Sequence, residues 1–598
     1  MRAQASAVRS VALAALVVAV LGAQGCSSCG EASKGPAVEA GAPAVLPPVP
    51  APAGLLAQAW IRSPDAAWGK IQRGVSGAIA LLPPSVGEVA CGYAGVDSRL
   101  AKLVDGKGTS FGVLGDDGAG GVAWVLAIPL TDGGAAASML LGAAAGGAAP
   151  GSPSAASDAG ARYTARDVDG MRVLAGGERE LAASAALAGQ WLLVAPRAAD
   201  LTSLGPYAFR TMPTLAAPPG SSAITVTLPP ASLAGPVATR LGRAWEEQRA
   251  WLVARDEEQR AKHGGRAPDF GDPRPIIDAL DAFARAEIAT LAGSKAARVE
   301  IDPGDDDVHA EAFVTPGDGD AGASALAAMA TGDASPLLKL PADAAVAFLR
   351  RDAAASRLDD THATEEALDR VLGDRAKGDD GKAIHAALED WAKARGDWWA
   401  AALAWGTGDA SRGVWVRTPA HDADAATRAV RELVDLSHGH AFADLLGGAL
   451  HLSPARVATS DVPSFGKATV ATFAWALKDA AGKGPRREGP PAPGVAWGVR
   501  DGQLVLAAGF AAAPLLAAGA APAHVVGDDA RAARALGALG ADATLAVYAQ
   551  PLRLDAVRSA DGVSAPAVAG WGRKGGDAWL RVELADALVR EVVRLGAR

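Results

Sequence analysis

GQWLLVAPRAADL, starting at Gly189, and GQLVLAAGFAAAPL, starting at Gly502, are the stretches whose reading decides the fold. Each leaves a glycine, runs through an unbroken apolar segment and enters an alanine-rich one. That order reads as a buried strand followed by a short helix. The second stretch opens a longer uncharged interval, Leu504–Val526, which Gly509, Pro514, Gly519 and Pro522 interrupt. A strand and a helix account for it, and a membrane span is not required.

Working outward, four more segment pairs occur in the same order. AWIRSPDAAW from Ala59 resembles AFLRRDAAAS from Ala347, and GVAWVLAIPLTD from Gly121 resembles GVWVRTPAHD from Gly413. SAITVTLPPASL from Ser222 resembles ATLAVYAQPLRL from Ala543, and RVEIDPGDDDVHAEAFV from Arg298 resembles AVAGWGRKGGDAWLRVEL from Ala567. In the second pair, a strand stops at a proline and restarts after an aspartate suited to cap a helix. The separation between partners grows slowly through four pairs and drops at the fifth, as a duplication with one insertion in its first copy would give.

The interval before Arg298 fits such an insertion. Leu241, Trp245 and Leu252 share a helical face, and Ile277, Leu280, Ala284, Ile288 and Leu291 mark a second amphipathic helix. Asp256/Arg260 and Glu258/Lys262 stand at i,i+4. An αα-hairpin between two sheet neighbours is expected. Short loops at Asp116, Gly408 and Arg500 read as β-hairpin turns. Low-complexity stretches near 146–160 and 478–493 read as surface excursions.

The fold class expected is α+β: two tandem repeats, each a mainly antiparallel sheet with helices on one face, plus an inserted helical hairpin in the first repeat. The expected parts are a signal peptide over 1–25, a Pro/Ala-rich tether over 26–54, repeat 1 over 55–336 with its insertion at 233–294, and repeat 2 over 337–598. Half of the 598 residues are apolar, ample for two cores, although alanine supplies much of that half and buries little area per residue. The net charge of −9 and the absence of a basic stripe argue against nucleic acid as a partner.

The N-terminus carries Arg2 and Arg9, an apolar run from Val11 to Leu21, and Ala23-Gln24-Gly25-Cys26. This order is a charged n-region, an h-region and a small-residue cleavage site. The tetrad resembles the lipobox of bacterial lipoprotein precursors, with alanine at its usual leucine position. The resemblance implies cleavage before Cys26, lipidation of Cys26 and attachment to a membrane through the lipid anchor. Ser27, in place of an inner-membrane retention aspartate, points to the outer membrane, facing the periplasm or the surface. The body resembles only uncharacterised exported repeat proteins, and no residue role is carried over from them.

Few motifs suggest chemistry. Gly108-Thr109-Ser110-Phe111-Gly112 fits G-x-S-x-G, but the helix required after the serine is missing. Gly466-Lys467 ends like a P-loop, yet Asp461 and Ala468 break the pattern. Cys26 and Cys29 form C-x-x-C, whose first thiol the lipid would consume. Cys29 and Cys91 are then two thiols or one disulfide. His438, His440 and His451 lack metal-ligand spacing. Asp305-Asp306-Asp307 reads as a hairpin turn, and Asp359, Asp360, Glu365 and Glu366 as the solvated start of a helix. Trp391, Trp398 and Trp399 read as core. No catalytic residue, cofactor-binding residue or metal ligand is assigned, and no cofactor is expected. The expectation is a lipid-anchored cell-envelope protein with a non-catalytic binding or scaffolding role and a protein partner at the 233–294 hairpin. The alternatives are an envelope hydrolase with a site assembled from distant residues, and a carrier of an apolar ligand.

Overall fold

The structure is a computed structural model that describes residues 46–74, 83–118, 120–142, 163–176, 183–262, 264, 273–318, 321–405, 412–447, 451–475, 493–551 and 565–588. The leader, Cys26, Cys29, most of the tether, the loop at Gly408 and nearly all of both low-complexity stretches lie outside these residues.

The chain divides into two compact units. The first holds the described residues up to Leu241 together with Leu291–Pro316; the second holds Gly242–Thr290 and Gly317–Leu588. The strands of the first unit are β1 (Leu55–Ile61), β2 (Ser110–Asp116), β3 (Val122–Pro129), β4 (Tyr163–Val168), β5 (Met171–Gly176), β6 (Ser184–Ala188), β7 (Trp191–Ala195), β8 (Ile224–Leu228), β9 (Ala296–Pro303) and β10 (Asp307–Thr315). They pair antiparallel in the order β4-β5-β6-β7-β3-β2-β1-β8-β9-β10.

The strands of the second unit are β11 (Ala344–Arg351), β12 (Trp398–Trp405), β13 (Arg412–Pro419), β14 (Arg456–Val462), β15 (Gly466–Thr472), β16 (Gly494–Arg500), β17 (Gln503–Gly509), β18 (Ala543–Ala549), β19 (Ala567–Lys574) and β20 (Asp577–Ala585). Their antiparallel order is β14-β15-β16-β17-β13-β12-β11-β18-β19-β20. Each unit is thus a mixed α+β structure on an antiparallel sheet. The five segment pairs read from the sequence fall on β1 and β11, β3 and β13, β7 and β17, β8 and β18, and the hairpins β9-β10 and β19-β20.

Helices cover both faces of each sheet, which corrects the expectation of one. The first unit carries α1 (Pro64–Gly74), α2 (Val86–Ala94), α3 (Gly133–Leu141) and α4 (Ala198–Pro206). On one face of its sheet, Leu193 and Ala195 pack with Leu201 and Leu204 of α4. On the other, Leu192 and Val194 pack with Cys91 of α2 and Leu140 of α3. Successive residues of a strand point to opposite faces, so an unbroken apolar run needs cover on both sides. Asp132 caps α3 by accepting from Ala135 N at 2.9 Å, as its place after the strand predicted.

The inserted hairpin consists of α5 (Ala238–Lys262) and α6 (Arg274–Ala292). It leaves from β8 and returns into β9, and these strands are neighbours, with Leu228 opposite Ala297. Trp245 Nε1 donates to Asp281 at 2.7 Å across the hairpin, and both expected i,i+4 ion pairs form at 2.7 Å. Leu280, expected on the buried stripe, is instead 41% exposed. Ile277, Glu287 and Leu291 are buried on the helical face that Leu280 shares, so periodicity places Leu280 correctly and does not decide its exposure.

The second unit carries α7 (Ala354–Leu372), α8 (Asp379–Ala394), α9 (Ala423–Asp435), α10 (Ala512–Ala520) and α11 (Ala530–Ala538). Trp415 is fully buried and donates from Nε1 to the Leu515 carbonyl of α10 at 2.7 Å. Gly519 permits this approach, because a Cβ there would stand 2.5 Å from the Trp415 ring. On the opposite face, Trp497 and Leu504 pack under Ala426, Ala429 and Val430 of α9. The uncharged interval from Leu504 is the expected strand and helix, and no described helix is long and apolar enough to cross a membrane.

Candidate functional site

The residues singled out in the sequence mostly take structural roles. Ser110 is the first residue of β2, is 1% exposed and opposes Ile61 of β1, so it stands on no strand-to-helix turn. Gly466 and Lys467 open β15, with Lys467 opposite Asp461. His438 donates from Nε2 to the Ala455 carbonyl at 3.0 Å, and among the described residues no cluster could hold a metal ion. Asp305 and Asp306 lie in the turn between β9 and β10 and Asp307 opens β10, where Gly304 N donates to the Asp307 carbonyl at 2.7 Å. Cys91 is a free thiol without exposure, and burial pushes it up to about 11. Trp391 packs half-buried beside α9, and Trp399 packs tilted against Phe348 with centroids 5.1 Å apart.

The acidic run in the second unit does not solvate a helix start, which corrects that expectation. It lies inside α7, where Asp360 and Glu365 are buried and Arg350 pairs with Asp360. Just before that helix, Asp352 is 1% exposed and accepts from Arg357 at 3.1 Å and from Arg395 at 3.0 and 2.6 Å. Arg357 also donates to the Arg395 carbonyl at 2.6 Å and to Asp397 at 2.8 Å. The cluster clamps the end of β11, the start of α7, the end of α8 and the approach to β12. Every charge in it has a partner, as burial demands.

Toward the N-terminal half of α8, away from this clamp, the seam of α8 and α9 opens into a groove. α9 is set by its cap: Asp422 accepts from Asp424 N at 2.8 Å and Ala425 N at 3.0 Å, and these bonds hold its carboxyl below the ordinary range. Its buried side faces the sheet, so the opposite flank is free to face α8. There α8 presents Ala383, Ala386 and Ala387, which are too small to fill the space between two helices. The cavity left over has a volume of about 340 Å³, and its apolar wall includes Ile384, Leu436 and Phe442. Asp380 closes one end, accepting from Ala441 N at 2.8 Å and so fixing the short helix His440–Leu445.

Among the described residues, Asp380, Glu432 and Asp435 are the charged groups lining the groove. Burial, together with nearby Asp390, raises the Glu432 carboxyl above the ordinary carboxylate range. Asp435 lies 3.6 Å from Arg431 at the exposed rim. Farther along the same seam, a second cavity of about 150 Å³ is lined by both signs of charge, including Asp390, Lys393 and Arg428. This groove leaves no signal in the sequence, because it is made by alanines that leave space unfilled.

No protein-family model, curated protein or solved structure matches this chain.

Proposed function

We propose that the protein is a lipid-anchored, non-catalytic binding protein of the cell envelope, built from two copies of one α+β unit. The leader and the lipobox-like tetrad ending in Cys26 support the anchor, and Ser27 favours the outer membrane. Each buried acyl methylene contributes about 0.8 kcal/mol, so several chains hold where one would not. Two-phase detergent partition tests this: wild type belongs in the detergent phase and Cys26→Ser in the aqueous phase. A wild type that partitions as soluble would sink the anchor.

The two copies are supported by strand orders that match when each first-unit strand is advanced by ten, and by the fall of all five segment pairs on matching strands. An experimental structure in which those pairs occupy non-equivalent positions would overturn the duplication.

The observation that carries the binding role is the open groove on α8 and α9. It has the form of a ligand site, mostly apolar with a few polar groups. The hairpin over 233–294 is the proposed contact for a protein partner, with Trp251 59% and Ile276 46% exposed. Replacing it with a Gly-Ser linker separates two roles: a cooperative melt with lost partner recovery supports contact, and collapse of the melt makes the hairpin part of the core. The apolar wall of the groove also favours a second reading, a carrier of an apolar ligand. Extraction of one apolar molecule per purified chain, detected by mass spectrometry, would support the carrier.

A further inference from the structure

We infer that the groove between α8 and α9 takes a small cationic amphiphile, an amine carried on a compact apolar body. The inference rests on the reading of that groove as a binding element. Its volume of about 340 Å³ suits a small ligand, not a lipid with long chains. Ile384, Ala387, Leu436 and Phe442 offer the body an apolar bed. Asp380, Glu432 and Asp435 offer the head negative charge, and among the described residues no lysine, arginine or histidine lines the cavity. The C-terminal end of α9 lies at the same place, and the negative end of its helix dipole adds to the potential there.

The neighbouring cations do not occupy this position. Arg431 is directed to Asp435 at the exposed rim, Arg428 lines the second cavity, and Lys382 pairs with Asp379 at 3.2 Å. Glu432 is half-buried and beside Asp390, and the charge of Arg428 opposes those two effects without outweighing them, so Glu432 gains from a further cation. An ammonium group next to it offsets the burial of its charge and the repulsion from Asp390. A neutral ligand of the same shape gains only the apolar contact. An anionic one meets three carboxylates.

The test is calorimetric titration of the purified full chain with 4-phenylbutylamine, 4-phenylbutanol and 4-phenylbutyrate, which share a body and differ in charge. The amine is expected to bind about tenfold or more tighter than the alcohol, and the acid weakest. Glu432→Gln with Asp435→Asn is expected to bring amine and alcohol together while leaving alcohol binding in place. Ala387→Phe, which fills the groove, is expected to abolish both. Ala386→Leu, at an exposed position of the lip, repeats that test if the first substitution fails to fold. Equal binding of amine and alcohol overturns the cationic assignment and leaves the groove a binding element. Binding of a Lys/Leu peptide where the amine fails also overturns it, giving the groove to a peptide. No binding of any probe, or binding indifferent to both filling substitutions, overturns the inference and the reading beneath it together.

Discussion

The helical seams of the two units follow the same positions along the chain and end in opposite states. In the first unit, α2 and α3 flank the turn Ser98–Leu103, whose Leu100 is fully buried with Cys91 and Leu140. In the second, α8 runs on to β12 with no such turn, α9 packs directly against it, and alanines leave the groove. One seam is closed by a leucine, and the other is left open by alanine. The comparison teaches that the same arrangement of strands can be finished as a closed core or as an open groove, according to the side-chain volume delivered between two helices.

The largest expected effect comes from the two aspartates that follow β1 and β11. Asp352→Ala leaves Arg357 and Arg395 buried without their shared partner and should cost about 3–5 kcal/mol in a denaturant melt. Asp65 stands at the matching place and, among the described residues, accepts from Val86 N at 2.8 Å. Asp65→Ala should cost about 0.5–2 kcal/mol, in the range of a lost cap. Equal costs would break the claim that the second unit has turned this position into a clamp.

A smaller contrast lies in the seams themselves. Leu100→Ala opens a cavity in a closed core and should cost about 2–5 kcal/mol. Ala387→Leu adds volume where space exists and should change stability by less than about 1.5 kcal/mol, the range of tolerated hydrophobic changes. A Leu100→Ala loss as small as that of Ala387→Leu would mean that the first seam is not closed.

The smallest effects are titrations, one in each seam. Glu432 is raised in the folded state, so the unfolded chain ionises first as pH rises. Stability should therefore fall as pH climbs from the ordinary glutamate range through the folded value, and Glu432→Gln should flatten that part of a pH-stability profile. Cys91, raised to about 11, costs nothing at neutral pH and withdraws stability only as pH rises above about 8.5. At pH 7 a thiol reagent should modify Cys91 only as fast as the unit opens. Rapid labelling would show the first seam to be accessible.

Much of the sheet was legible in the sequence, because period-2 segments bounded by turns and aspartate caps carry local signals. Asp132 and Asp422 cap α3 and α9 where a strand ends in proline and the chain restarts. The cover on both faces was also encoded, in the unbroken run Trp191–Ala195, four of whose five residues are buried. Alternation is the clearer signal for a single covered face, and its absence here was the clue. Three features were not legible. Asp352 reads as one more helix-start aspartate until Arg357 and Arg395 are brought to it in space. Asp360 and Glu365 read as solvated charge because burial depends on what packs over α7. The groove has no positive signal, since alanine spacing looks the same whether a neighbour fills the gap or not.

The most direct measurement is amide hydrogen exchange on the full chain, with and without 4-phenylbutylamine. The account predicts that added protection is confined to residues 379–394 and 423–442, while residues 86–94, 98–103 and 133–141 are already protected and do not change. Protection gained in the first seam, or in neither, would contradict the assignment of one seam to core and the other to binding.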